Sequence, residues 1–378
     1  MKFKITGLLA TFIFLIMLCG CSSGNADEPE NQTENIAGDD KVEEILNQMT
    51  LTEKVGQMVM IGVYGTDMNE DIQYMFNQFH IGGVILFDRN MDNKEQVKKF
   101  VDRMQNESNE KLPLFIAIDE EGGRVARMKN SLTVQPSQED IGLTGDPNNA
   151  FTYAKLTAEE LKTIGVNVNF APVADVGSKD TRSFGSDAKT VAEFVSQAAK
   201  GYESTKFFYC LKHFPGIGRA KTDPHLDISN VEADLETLEQ TDFVPFKKII
   251  DEQDNSKFMI MVSHLKYDAI DPENPGSLSR AVMTDLLRDK MKFKGVLITD
   301  DLQMGAIKKS GSDHEDMEYI GFVTAEAGAD IVLICHDYKK AQDAYMGILY
   351  AARDGRLSEE RINESVRRII KMKLALQK

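Results

Sequence analysis

The chain has 378 residues, 42% of them hydrophobic, enough to bury the core of one large domain or two ordinary ones. Asp and Glu outnumber Lys and Arg by 60 to 44, giving a net charge of −16. That balance excludes nucleic acid as a partner, since phosphate binding needs basic patches, and it argues against adhesion of the folded surface to anionic lipid.

The N-terminus reads differently. Met1-Lys2-Phe3-Lys4 is basic, and Ile5 to Leu18 is a nearly continuous apolar run, too short for a comfortable membrane span and suited to a signal-peptide core. Leu18-Cys19-Gly20-Cys21 resembles a bacterial lipobox, with Cys21 as the lipidated residue. Residues 1–20 are therefore read as a lipoprotein signal peptide. The expected location is the extracytoplasmic side of a bacterial membrane, with the bilayer as a partner. A plain cleaved signal peptide or a simple anchor is the competing reading. Residues 21–40, polar and acidic, read as a flexible tether.

Residues 41–378 read as one domain. Eight apolar, β-branched-rich runs follow in order: Met58 to Val63, Gly83 to Phe87, Leu114 to Asp119, Val166 to Val173, Phe207 to His213, Phe258 to His264, Gly295 to Asp300, and Asp330 to Cys335. Amphipathic helical stretches separate them, among them Val97 to Met104, Ala150 to Ile164, Ala192 to Tyr202, Leu235 to Ile250, Arg280 to Met291 and Ala341 to Ala352. A basic amphipathic helix, Ser358 to Leu376, closes the chain. Runs apolar on both faces suit a parallel sheet covered by helices. Eight such units predict an α/β fold, the (β/α)₈ TIM barrel, with a doubly wound open sheet as the competing architecture.

In a barrel of this kind, catalytic groups sit at the C-terminal ends of strands. Here Asp119, Asp175, Lys212-His213, His264, Asp300 and His336 end or follow successive runs. A carboxylate such as Asp300 at the end of an apolar strand can attack an electrophilic carbon. The segment from Phe214 to Glu232 reads as a long loop carrying Asp223 and His225, and an Asp-x-His pair can hold an imidazole in one tautomer. Cys210 and Cys335 lie in apolar runs and read as buried free thiols. No Cys-x-x-Cys or His-Glu-x-x-His spacing occurs, so no metal is expected.

Several strings in this order resemble glycoside hydrolase family 3, in its β-N-acetylglucosaminidase branch. They include Met49-Thr50-Leu51-Thr52-Glu53-Lys54-Val55-Gly56-Gln57, Gly82-Gly83-Val84-Ile85-Leu86-Phe87, Asp119-Glu120-Glu121-Gly122-Gly123-Arg124-Val125 and Asn169-Phe170-Ala171-Pro172-Val173-Ala174-Asp175-Val176. Others are Arg182-Ser183-Phe184, Lys212-His213-Phe214-Pro215-Gly216, Met261-Val262-Ser263-His264 and Thr299-Asp300-Asp301-Leu302-Gln303-Met304.

The resemblance implies a single-domain barrel and a retaining mechanism with Asp300 as nucleophile; Asp301 is the runner-up and reads better as a helix N-cap. Many relatives take their acid/base from a domain after the barrel, for which this chain leaves no room. The branch instead implies His225 oriented by Asp223. Asp119, Arg127, Arg182, Lys212 and His213 map onto the hydroxyl-binding set, against strand-end packing for Lys212-His213 and a salt bridge to Asp180 or Asp187 for Arg182. His264 reads as a supporting residue; His80, His314 and His336 carry no motif and read as surface or core.

Two departures from the branch, Pro224 between the Asp and His and Ile217 in place of a histidine, put the preferred substrate in doubt. The implied activity is exo-hydrolysis of terminal β-linked N-acetylglucosamine from wall-derived or related aminosugar fragments, for which no metal or organic cofactor is expected. A same-family β-glycosidase or phosphorylase, a non-catalytic lipid-anchored wall- or sugar-binding protein, and a solute-binding lipoprotein are the alternatives.

Overall fold

Strands buried on both faces must be apolar along their length. The eight runs become β1 (Val59–Gly62), β2 (Gly83–Leu86), β3 (Phe115–Ile118), β4 (Val168–Asn169), β5 (Phe208–Phe214), β6 (Phe258–Val262), β7 (Val296–Asp301) and β8 (Ile331–Ile334). In the computed structural model, which describes residues 39–108, 112–177, 180–220, 230–304 and 316–376, all eight pair in parallel. They close in the order β1-β8-β7-β6-β5-β4-β3-β2. The closing ladder sets Val59, Met60 and Ile61 against Val332, Leu333 and Ile334, which rules out an open sheet. The protein is a (β/α)₈ barrel.

The helices start where side chains satisfy their first amides. Thr50 and Glu53 form a capping box on Leu51–Gln57, and Asp187 caps Ala188–Ser204 through the Thr190 amide. The terminal helix, Glu359–Ala375, packs back on the barrel's N-terminal face, where Lys373 Nζ reaches Gln57 Oε1 at 2.6 Å and the Gly82 carbonyl at 2.7 Å. Among the described residues, no helix is long and apolar enough to cross a membrane.

Three boundaries differ from the sequence reading. The stretch Leu235 to Ile250 is two helices, Leu235–Gln240 and Val244–Glu252. Pro245 lacks an amide and would clash with the carbonyl four residues back, so it fits only in the first turn of a new helix. Of Val166 to Val173, Val173 adds only an isolated parallel bridge to Lys212, and the regular strand is Val168–Asn169. Beyond it, Pro172 has no amide to give, and Gln138 takes both backbone groups of Val173, each at 2.8 Å. A helix covers 39–47, overlapping the end of the stretch read as tether, with Asp39 paired to Lys371 at 3.1 Å.

Candidate active site

Successive residues of a strand point to opposite faces, so neighbours cannot both face one cavity without a break in register. Two such breaks occur. Against β6, β5 carries one extra residue between Leu211 and Phe214, and Lys212 and His213 both line the cavity at the C-terminal mouth. Against β8, β7 carries one extra residue between Ile298 and Asp301, and Asp300 and Asp301 both line it too. The cavity measures about 850 Å³, ample for a sugar. It brings together six predicted site residues: Asp119, Arg127, Arg182, Lys212, His213 and Asp300. Asp223 and His225, with Pro224, lie outside the described residues, as do Cys21 and His314.

The wall opposite Asp300 is an ion cluster. Lys212 Nζ lies 2.7 Å from Asp119 Oδ1 and 2.6 Å from Glu121 Oε1. Arg182 grips Glu121 with two bonds of 2.8 Å, and its Nη2 lies 3.3 Å from His213 Nε2. Asp180 is farther, at 3.9 Å, and Asp187 caps a helix, so neither of the expected salt-bridge partners is the main one. Arg127 stands 3.5 Å from Asp119 Oδ2.

Burial alone would push Glu121 up, but Lys212 and Arg182 hold it far below the usual carboxylate range. Burial likewise works against the charge on Lys212, yet Asp119 and Glu121 raise it above the ordinary lysine value. These groups are charged at neutral pH, and sugar hydroxyls can donate to the carboxylates and accept from the cations.

Two positive-φ glycines make the wall possible. Gly122 (φ 89°) and Gly123 (φ 57°) turn the chain straight after Glu121, and a Cβ on Gly122 would lie 2.4 Å from the Pro136 carbonyl oxygen. The turn returns Val125 to the Glu121 amide, 2.9 Å away, and so places Arg127 beside Asp119.

The two adjacent aspartates differ. Burial would raise Asp300, but the fields of His264 and His213, the Asp301 amide at 2.8 Å and Lys212 hold it below the usual aspartate value. Burial raises Asp301, whose Oδ1 accepts the Gln303 and Cys335 amides, each at 3.1 Å. Asp300 is the ionised carboxylate open to the cavity, and Asp301 ends β7 and holds the backbone of Gln303 and Cys335, with no described helix starting from it. His264 is buried between Ser277 Oγ (2.7 Å) and the Asp301 carbonyl (2.9 Å), in its expected supporting place.

Sequence reasoning missed three residues. Glu121 sits inside a string already singled out, and its adjacency to Asp119 was the available signal. Asp175 holds His213 Nδ1 at 2.8 Å and accepts the amides of His213 (3.1 Å) and Ile217 (2.9 Å). Its place after the fourth run had marked it, though not its partner. His336, read as surface or core, lines the cavity, with its ring 5.4 Å from Phe87 and Nδ1 3.3 Å from Arg89. Burial and the Arg89 charge push its pKa down. Cys210 and Cys335 are buried free thiols as read. Asp301, Cys335 and His336 place ligand-type atoms within 4.8 Å of one another. The Arg89 guanidinium can only donate to His336 Nδ1, which fixes the ring proton on Nε2 and opposes a metal there.

A closed parallel barrel with an ionised strand-end carboxylate facing a cluster of charged side chains is a layout that suits a barrel glycoside hydrolase. Residues 50–372 match the glycosyl hydrolase family 3 N-terminal domain, and the chain belongs to that family. It is similar to the beta-hexosaminidase A of Pseudoalteromonas piscicida, 32% identical over 342 residues, covering 82% of this chain and 56% of that protein. A beta-hexosaminidase of Xylella fastidiosa (strain M23) is 33% identical over 291 residues, covering 74% of this chain and 83% of the relative. Among solved structures, a family 3 beta-N-acetylglucosaminidase from Paenibacillus sp. str. FPU-7 superposes with a TM-score of 0.82 at 35% identity, over 86% of this chain and 62% of that one. The chain thus spans less than two thirds of the Pseudoalteromonas and Paenibacillus proteins.

Proposed function

We propose that this protein is a retaining exo-β-N-acetylglucosaminidase. The observation that carries the reading is Asp300, an ionised carboxylate held across one cavity from Asp119, Arg127, Arg182, Lys212 and His213. The names of the similar proteins, beta-hexosaminidases and a beta-N-acetylglucosaminidase, support the aminosugar.

In the first step, the ion cluster binds the hydroxyls of the terminal sugar and sets its anomeric carbon before Asp300. An Asp300 oxygen forms a bond to that carbon as the bond to the leaving oxygen breaks, giving a glycosyl-enzyme. His225, oriented by Asp223, gives its proton to the leaving oxygen. In the second step it takes a proton from water, which attacks the same carbon and frees Asp300. His213 keeps its orientation through Asp175.

Cys21, acylated, anchors the enzyme on the extracytoplasmic face of the membrane, and wall-derived aminosugar fragments are its substrates. The lipobox spelling and the signal-like run before it support the anchor.

The test is hydrolysis of a chromogenic β-N-acetylglucosaminide, with the glucoside alongside and Asp300→Ala as control. Turnover of the acetylglucosaminide alone, lost in the variant, is expected. Turnover of the glucoside instead overturns the specificity, and silence on both overturns the enzyme. Incorporation of labelled palmitate that survives Cys21→Ala would overturn the anchor.

A further inference from the structure

Asp119, Glu120 and Glu121 are consecutive, yet Glu120 does not line the sugar cavity as the other two do. Its side chain is turned behind the wall, toward a separate cavity of about 30 Å³ walled in part by Ile141, Ala150, Ala154 and Phe184. Glu120 is 4% exposed. Its backbone is clamped both ways by Asn169 of β4: the amide donates to Asn169 Oδ1 at 2.9 Å, and the carbonyl accepts from Nδ2 at 2.8 Å. Its Oε2 accepts the Arg127 backbone amide at 2.7 Å, while Oε1 has no hydrogen-bond partner among the described residues. The Glu120 carboxylate therefore ties one end of the glycine turn to the other, and the far end presents the guanidinium that faces Asp119.

We propose that Glu120 is a positioning residue of the sugar site: as an anion it locks the Arg127 end of the turn against Asp119, as a neutral acid it loosens that hold, and sugar affinity falls with falling pH. The inference rests on the sugar-binding role proposed above for Asp119 and Arg127.

The physical basis is that an amide bonds an ionised acceptor more strongly than a neutral one. Burial lifts the Glu120 carboxyl to about 7, opposed by the Arg127 amide and charge and reinforced by Glu160 and Asp88. The charged and titratable groups facing it are Arg127 on its own turn, Asp88 after β2, Glu160 on the helix Asn148–Thr163, and the Tyr202 phenol on the helix Ala188–Ser204, itself pushed up by burial. Stability has the opposite sign. A carboxyl raised in the folded state contributes fully below the usual carboxylate range, and that contribution is lost as pH rises through about 7. The ionised form thus favours sugar binding and opposes folding; a merely structural residue would move both together.

The experiment measures the Kd of N-acetylglucosamine by calorimetry, and the melting temperature, in the wild type and Glu120→Gln. The wild-type Kd is expected to weaken about fivefold between about pH 8.5 and about pH 5.5, with Glu120→Gln flat across the range. Glu120→Gln should melt above the wild type at the alkaline end, with the gap closing at the acid end. Identical pH courses of Kd in the two proteins, or a melting gap that does not change with pH, overturn the proposal. A wild type that binds no N-acetylglucosamine at any pH overturns the proposed function and the positioning role with it, while the melting arm alone still reads the ionisation of Glu120.

Discussion

Lys212 Nζ and Glu121 Oε1 lie 2.6 Å apart in the wall of the cavity at the barrel's C-terminal mouth, with side chains only 3% and 2% exposed. Withdrawing two charges from water costs several kcal/mol each, and their attraction repays this only where further hydrogen bonds complete the cluster. Asp119 and Arg182 supply them. Two of the three Lys212 donor directions are spent on carboxylates, so the remaining one is oriented before any sugar arrives. A cluster with this many fixed partners needs little reorganisation on binding.

Removing the Glu121 charge while keeping its shape tests this cluster. Glu121→Gln leaves Lys212 with Asp119 and Arg182 with Asp180, 3.9 Å away, and a buried pair broken on one side loses about 3–5 kcal/mol. Urea unfolding should show that loss. The pH dependence follows with a definite sign. Glu121 is held below its usual value in the folded state, so its contribution is full above the ordinary carboxylate range and is lost as pH falls toward the folded value. The wild type should therefore lose stability in acid more steeply than Glu121→Gln. Parallel acid limbs would show that the cluster is not ionised as described.

The paired aspartates separate chemically. Asp300→Ala should lower turnover by roughly 10³-fold or more without disturbing the fold, since it removes the attacking oxygen. Azide, which can attack from the vacated side, should restore turnover and yield a glycosyl azide. Asp301→Ala removes the acceptor of the Gln303 and Cys335 amides, and its defect should show in melting temperature and resist azide. Azide rescue of Asp301→Ala and not of Asp300→Ala would reverse the two assignments.

What the sequence revealed and what it hid follow from range. The strands were legible because each is apolar on both faces, a local property of runs such as Phe115–Ile118. Asp300, Lys212 and His213 were legible because polar residues closing apolar strands have no core role. The break before Val244 was hidden by a helical pattern continuing across it, although Pro245 was visible. Partnerships were not legible at all: Arg182 meets Glu121 across 61 positions of sequence, and His213 meets Asp175 across 38. His336 reaches the cavity through Phe87 and Arg89, which come from another strand's end.

The His213–Asp175 contact makes its own prediction. Asp175 orients the ring and accepts two backbone amides, that of His213 in β5 and that of Ile217 just after it. Asp175→Asn keeps the side-chain volume but can accept at only one atom. KM should rise about tenfold, the equivalent of one charge-assisted hydrogen bond, with a smaller change in kcat. A fall in kcat at constant KM would place Asp175 in transition-state stabilisation instead of sugar positioning.

The opposite end of the barrel should answer to stability alone. Asp330, fully buried just before β8, meets Arg288 Nη2 at 2.5 Å, Arg368 Nη1 at 2.9 Å, Ser365 Oγ at 2.6 Å and the Leu297 amide at 2.9 Å. It joins two strands to the terminal helix on the face away from the active site, where function imposes no demand. Burial pushes Arg288 down to about 10, and Asp330 is the group that opposes this. Without Asp330 the guanidinium would stand in low dielectric with the Phe293 and Gly295 carbonyls and the Phe293 ring but no carboxylate among the described residues. Asp330→Ala should therefore cost about 3–5 kcal/mol in urea unfolding while KM and kcat of the surviving folded enzyme stay at wild-type values. A matching loss of sugar affinity would mean that the two ends of the barrel are coupled, and that the active-site cluster depends on the terminal helix for its geometry.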